Sequence, residues 1–155
     1  MTPATTLALS CVASAALVTT AAFAQGETGG VRFTATMTGA QEVPGPGDPN
    51  ATGTAVLRVN PGVPQICYEY SVADVDGTIN NAHIHIINAG QGFGPPVVNL
   101  NFDVDGTVKD CATAPNVTRE EALAIITNPE NYYVNIHSTT FPNGGVRGAL
   151  VKGKG

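Results

Sequence analysis

Three histidines are the residues of this sequence whose type and spacing are best suited to chemistry. His83 and His85 lie one residue apart in "NNAHIHIINAG", and His137 lies in "YYVNIHSTT". Residues i and i+2 of a strand point to the same face, about 6.6 Å apart along the strand. The imidazoles of His83 and His85 should therefore project together, and two or three converging imidazoles can bind a metal ion through nitrogen.

The residues alone leave three interpretations of these histidines open. In the first, they hydrogen-bond loops such as "GAQEVPGPG" and fix one end of a β-protein. In the second, they bind a mononuclear metal. Copper is favoured over zinc because three imidazoles with an open position suit either ion and Cu(II) binds more strongly. In the third, they act in catalysis without a metal.

Three further polar residues are candidates for the surroundings of the histidines. Asn135 shares a predicted strand face with His137, and Arg147 alternates with small and apolar residues in "GVRGAL". Glu42 follows the first predicted strand. An ion pair between Glu42 and Arg147 would join the first loop to the last strand, whereas the alternative is that both are solvated surface charges.

Short β-branched runs between glycine, proline and asparagine predict an all-β domain that positions these side chains. In "VRFTATMT" and "QICYEYSVA", apolar residues occupy alternate positions and predict two half-buried strands. The histidine strand is predicted at Ala82 to Asn88, with Ala82, Ile84 and Ile86 facing the core. The segments "YYVNIHS" and "GVRGALVKG" are predicted to form a hairpin, with Asn143-Gly144 as the turn.

One short helix is predicted near residues 118–127, in "NVTREEALAIITNPE". Thr118 can accept a hydrogen bond from the first turn while Glu121 reaches back to it, which is a capping box. Asn128-Pro129 ends the helix, because the residue before proline disfavours helical geometry.

Residues 1–24 are predicted to be a signal peptide. The alanine-rich apolar run ends in Ala22-Phe23-Ala24, the small-x-small pattern of a cleavage site. A membrane anchor is the alternative, but serines and threonines interrupt the run, and a spanning helix needs about 20 mostly apolar residues. The mature chain, residues 25–155, is then a single exported domain in the periplasm or outside the cell.

Removal of the signal peptide leaves two cysteines, Cys67 and Cys111. An even pair in an oxidising compartment predicts a disulfide. The alternative, that these thiols are metal ligands, lacks the CxxC spacing of such sites.

The formal net charge of −5 and the absence of a basic cluster argue against nucleic acid or an anionic membrane surface as partner. No membrane insertion is expected once the signal peptide is cleaved. The sequence also lacks a phosphate-binding glycine loop, a Rossmann fingerprint and a nucleophile elbow. The expected partner is therefore a protein or a surface whose identity the sequence does not give.

Three ordered motifs resemble the CHRD domain, the module repeated in chordin and found singly in many exported bacterial proteins. They are "FTATMTGAQEVP", "AHIH" and "YVNIHSTTFPNGGVRGAL", and the resemblance runs from about Val31 to Val151. It implies an extracellular, Greek-key, immunoglobulin-like β-sandwich with the short helix inserted. Because all three histidines lie in motifs of this family, the resemblance adds weight to a metal site.

A second likeness is to the copper–zinc superoxide dismutases, which also have HxH on one strand, a later copper-binding histidine and an arginine near the end. The matching residues here are His83, His85, His137 and Arg147. A fourth, metal-bridging histidine and a zinc loop are missing, so the likeness implies a related architecture and a mononuclear site, without dismutase activity.

The sequence therefore favours a non-enzymatic binding or structural module that meets its partner through loops at one end of the domain. The alternative is a small metalloprotein that binds mononuclear copper, or less favourably zinc, through the three histidines.

Overall fold

A computed structural model describes residues 29–154 as nine strands and one helix. The strands are β1 (Val31–Thr38), β2 (Thr52–Asn60), β3 (Gln65–Ala73), β4 (Ile79–Ile86), β5 (Pro96–Leu100), β6 (Thr107–Thr113), β7 (Tyr132–Ser138), β8 (Val146–Ala149) and β9 (Val151–Lys152). The helix is α1 (Arg119–Thr127), and two 3-10 turns lie at Gly39–Gln41 and Pro129–Asn131. The predicted signal peptide lies outside the described residues.

The strands form one antiparallel sheet in the order β5-β4-β7-β8-β1-β2-β3-β6, and β9 also pairs with β1. The sheet curls until β5 and β6, at its two ends, come into contact. Asn101, just after β5, bridges this gap: its N–H donates to the hydroxyl of Tyr68 at 2.7 Å, and its carbonyl accepts from Tyr70 at 2.8 Å. The protein is thus mostly β, as predicted, and is nearly closed into a barrel.

A two-sheet sandwich was expected, and β1 is the reason that the sheet is continuous instead. One edge of β1 pairs with β2 along its whole length, and the other edge pairs with β8 and β9. The strand therefore joins the halves that a sandwich would keep apart.

The interior of the barrel is built from the alternating apolar residues that were predicted to face the core. Phe33 and Met37 of β1 and Ile66 of β3 are fully buried. Ala82 and Ile84 of β4 are also fully buried, which leaves His83 and His85 on the outer face of the same strand. Burial of one face thus fixes the register that turns both histidines away from the core.

The short helix α1 begins and ends where the sequence predicted. The hydroxyl of Thr118 accepts from the N–H of Glu121 at 3.1 Å, and the carboxylate of Glu121 accepts from the N–H of Thr118 at 2.8 Å. Ala122 and Ile125 pack into the core. None of the described residues belongs to a helix that is long and apolar enough to span a membrane.

The predicted disulfide joins β3 to β6. Cys67 and Cys111 lie opposite each other in the antiparallel ladder, with their sulfurs bonded at 2.06 Å. This pairing is consistent with an exported protein.

A glycine-rich segment between β1 and β2 folds back over the outer face of the barrel. Asp48 fastens it: this carboxylate is fully buried and accepts from the backbone N–H of Asn50 at 3.0 Å and of Ala51 at 3.2 Å. Its other oxygen accepts from the N–H of Asp76 at 2.7 Å. The carboxylate thus ties the loop that carries Glu42 to the connection between β3 and β4.

Candidate metal centre

The pairing of β4 with β7 brings the three histidines together. His83 lies opposite Asn135, His85 lies opposite Tyr133, and Asn81 lies opposite His137. Residues directly opposite each other in an antiparallel pair share a face, so all three imidazoles project from the outer side of the barrel. His85 and His137 are each 8% exposed, and His83 is partly buried.

The imidazoles converge closely. One ring nitrogen from each histidine lies within 4.8 Å of the others, and Nδ1 of His83 is 3.2 Å from Nε2 of His137. The ring centres are 5.0 Å apart for His83 and His137, and 5.2 Å apart for His83 and His85. Such a cluster could hold a metal ion.

Two loop carbonyls determine which nitrogens are free to bind. Nδ1 of His85 lies 2.9 Å from the carbonyl oxygen of Gly94, and Nδ1 of His137 lies 3.1 Å from that of Pro142. A carbonyl oxygen only accepts hydrogen bonds, so both Nδ1 atoms must carry the proton. Each Nε2 then presents a lone pair, and hydrogen bonding of the second ring nitrogen to a carbonyl is the usual support of a metal-bound histidine.

The distances are compatible with a single ion. Copper and zinc bind imidazole nitrogen at about 2.0–2.1 Å, so two nitrogens on one ion are at most about 4.2 Å apart. The 3.2 Å separation between His83 and His137 falls within that limit. Ring movements of less than about 1 Å would bring the third nitrogen into range.

The site holds its histidines in the neutral form, which a metal requires. Burial, with the neighbouring His137 and His85, lowers the pKa of His83 to about 4. Burial also lowers the pKa of His85 and of His137, although their bonds to the loop carbonyls act in the opposite direction.

The structure places the other three predicted residues in the same outer layer. Asn135 of β7 is paired on one side with His83 and on the other with Arg147 of β8. Glu42 lies in the loop after β1 and is 7% exposed, and Nδ2 of Asn135 donates to its Oε2 at 3.5 Å. Arg147 acts on Glu42 through its charge, whereas its hydrogen bond goes to the carbonyl of Gly92, at 2.8 Å.

Glu42 fits into a slot that two glycines leave open. A Cβ at Gly144 would lie 2.6 Å from Oε2 of Glu42, and a Cβ at Gly47 would lie 2.4 Å from its Cγ. Burial raises the pKa of Glu42 to about 7, and the charge of Arg147 limits the rise. The first and last motifs of the sequence therefore interlock at a buried carboxyl group.

Sequence analysis did not identify the part played by Tyr133. Its ring stacks on His85 with centres 4.9 Å apart, and the guanidinium of Arg147 lies 3.9 Å from the centre of its ring. Strand alternation in the sequence does place Tyr133 on the face of Asn135 and His137, but its stacking on His85 depends on the pairing of β4 with β7. The carbonyls of Gly94 and Pro142 carry no signal in the sequence, because backbone groups in loops leave no mark on residue type.

Residues 33–150 of the chain match the family model of the CHRD domain. A comparison with curated proteins finds no match.

Proposed function

The chain belongs to the CHRD domain family, and we propose that it is an exported protein that binds a single copper ion through His83, His85 and His137. Zinc is the alternative ion. The protein would act in the periplasm or outside the cell, and its disulfide supports that location.

The observation that carries this proposal is the convergence of three imidazoles, two of which have their tautomers set by loop carbonyls. The loops take up Nδ1 of His85 and of His137, and Nε2 of His137 accepts a hydrogen bond from Nδ1 of His83 at 3.2 Å, which a bound metal would replace. Nε2 of His85 is buried with no hydrogen-bond partner among the described residues, and the fastening of loops does not account for that. A buried polar atom without a partner costs about 1–3 kcal/mol, and a metal–nitrogen bond would offset that cost.

Copper is favoured over zinc for a general chemical reason. Three imidazoles leave at least one coordination position open, and both ions accept this arrangement. At the same nitrogen site Cu(II) binds more strongly than Zn(II), following the Irving–Williams order. In this proposal the protein binds or carries the ion and does not catalyse a reaction with it.

The test is a titration of the metal-free mature chain with Cu(II), monitored by calorimetry and by electron paramagnetic resonance. Wild-type protein should bind one equivalent tighter than micromolar with a nitrogen-rich spectrum. His83→Ala and His137→Ala should both lose this binding. Asn80→Ala, an exposed change on the strand that carries His83, is the matched control and should bind like wild type. Weak wild-type binding, or histidine variants indistinguishable from wild type, would refute the proposal.

A partner-binding role remains the second candidate, as a module that meets a protein or a surface. Val43 and Phe93 are 41% and 39% exposed, on two loops that lie together: a Cβ at Gly92 would be 3.3 Å from the Val43 side chain. Exposed apolar side chains on adjacent loops are typical of a contact surface. Val43→Asp with Phe93→Asp should abolish capture of a partner while copper binding is retained.

A further inference from the structure

Four buried polar atoms in and beside the histidine cluster have no hydrogen-bond partner among residues 29–154. They are Oε1 of Glu42, Oδ1 of Asn135, Nη1 of Arg147 and Nε2 of His85. Their residues are between 3% and 9% exposed. The proposed metal would bind the histidine nitrogen, which leaves the other three atoms to be explained.

The sheet register shows that these residues belong to one layer. His83, Asn135 and Arg147 form a row across β4, β7 and β8. In such a row, side chains on the same face have Cβ atoms about 4.5–5.5 Å apart. Arg147 also lies over Tyr133, which stacks on His85, and its charge acts on His85. The unpartnered atoms therefore adjoin the proposed ligands.

The side chains are held in place by the bonds that they do make. Arg147 uses its Nη2 to donate to Gly92, and Asn135 uses its Nδ2 to donate to Glu42. Gly144 and Gly47 leave space for the Glu42 side chain, since a Cβ at either position would lie within 2.6 Å of it. Each residue thus has one anchored atom and one that remains unpartnered.

The chemistry of the unpartnered atoms defines what they would bind. Nη1 of Arg147 is a cationic donor, and Oδ1 of Asn135 is an acceptor. Oε1 of Glu42 accepts when the carboxyl is ionised, and the protonated carboxyl can donate. A ligand that satisfies this set must both accept and donate hydrogen bonds, and it must be small because the side chains are almost completely buried.

We propose that Glu42, Asn135 and Arg147 bind a small protic oxygen ligand, of the size of water or hydrogen peroxide, that is shared with the metal. This inference rests on the proposed metal site for its second anchor. The three residues would orient the ligand toward the metal through their hydrogen bonds.

The first arm of the test needs no metal. A crystal structure of the metal-free mature protein, at a resolution that shows ordered water, should contain a water molecule within hydrogen-bond distance of Oε1 of Glu42 and Nη1 of Arg147. If those atoms instead bond each other directly, or face a dry space, the proposal is overturned.

The second arm measures how tightly azide binds to the Cu(II)-loaded protein. Binding is monitored by the charge-transfer absorption between azide and copper. At pH 8.5 the carboxylate of Glu42 should repel the anion, and the neutral amide of Glu42→Gln should not. Arg147 and Tyr133 interact electrostatically with Glu42, and both are the same in the two proteins. The variant should therefore bind azide about ten-fold more tightly than wild type.

The ratio of the two affinities isolates Glu42, since deprotonation of metal-bound water affects both proteins alike. Glu120→Gln, an exposed change in the first turn of α1, should match wild type. A ratio near one would overturn the shared ligand while copper binding stands. If wild type binds no copper, the proposed function and the sharing with a metal both fail, and the metal-free structure then decides whether the three residues bind a ligand of their own.

Discussion

The carboxylate of Asp48 should be among the most sensitive positions of the protein. It is fully buried and accepts three backbone hydrogen bonds, from Asn50, Ala51 and Asp76. Asp48→Ala removes the acceptor of all three bonds. The loop that carries Glu42 then loses its connection to the turn before β4.

The magnitude follows from what each amide loses. An amide left buried without a partner costs about 1–3 kcal/mol. Ala51 is 2% exposed and pays this cost, whereas the amides of Asn50 and Asp76 lie in exposed residues and regain water in part. Removal of the carboxylate also removes its own desolvation cost. We therefore expect the free energy of unfolding to fall by about 2–4 kcal/mol.

The assay is urea unfolding of the disulfide-bonded mature chain at pH 7. Asp48→Asn should lie between wild type and Asp48→Ala, because its amide nitrogen would face an N–H donor. Asp103→Ala is the matched control: this exposed carboxylate accepts one bond, from the N–H of Asp105 at 2.9 Å, so its loss should cost less than about 1 kcal/mol. Equal midpoints for Asp48→Ala and Asp103→Ala would refute the reasoning.

Four further predictions concern the histidines, the disulfide and the slot for Glu42. Because burial lowers the pKa of all three histidines, that of His83 to about 4, copper should remain bound at about pH 5.5, and an acid titration with half-release near 6.5 would contradict this. The metal-free protein should lose stability in urea as pH falls below 6.5, since unfolded histidines then take up protons that the folded ones do not. Reduction of the disulfide should lower the free energy of unfolding by about 3–4 kcal/mol and leave the histidine cluster on β4 and β7 able to bind copper, as calorimetry would show. Gly144→Ala should lower the melting temperature more than Gly90→Ala. Both glycines have positive φ, +137° and +77°, but the new Cβ at Gly144 would meet Glu42, whereas no described residue lies within 4 Å of a Cβ at Gly90.

Local features of the fold could be predicted from the sequence because each depends on only a few neighbouring residues. Alternation in "VRFTATMT" predicted the buried face of β1, and the capping box at Thr118 predicted the start of α1. Alternation around Ile84 likewise predicted that His83 and His85 share the outer face of β4.

Strand β6 shows why other features could not be predicted. Val108, Asp110 and Ala112 of β6 lie opposite apolar or aromatic residues of β3. Asp110 interrupts the apolar alternation: it is exposed, and its carboxylate accepts a hydrogen bond from the side chain of Asn101. The two residues are nine apart in the chain, but their types do not indicate that β5 and β6 meet, so the bond could not be predicted from the sequence.

The candidate metal centre also combines local and long-range features. The three histidines could be chosen from their type and spacing. The approach of His137 to His83 depends on the pairing of β4 with β7, which are far apart in the chain. The closure of the barrel depends in turn on β1 pairing at both edges. Such long-range pairings are decided by the whole sheet.

For an exported chain, as proposed, the double pairing of β1 has a consequence for the order of folding events. A chain that crosses a membrane from its amino end delivers β1 first and β8 and β9 last. Until then one edge of β1 is an open template that can pair with another chain. Strand β7, which carries His137 and pairs with β4, also arrives late. The proposed metal would therefore be acquired only after translocation is complete, from the pool of the compartment in which the protein folds.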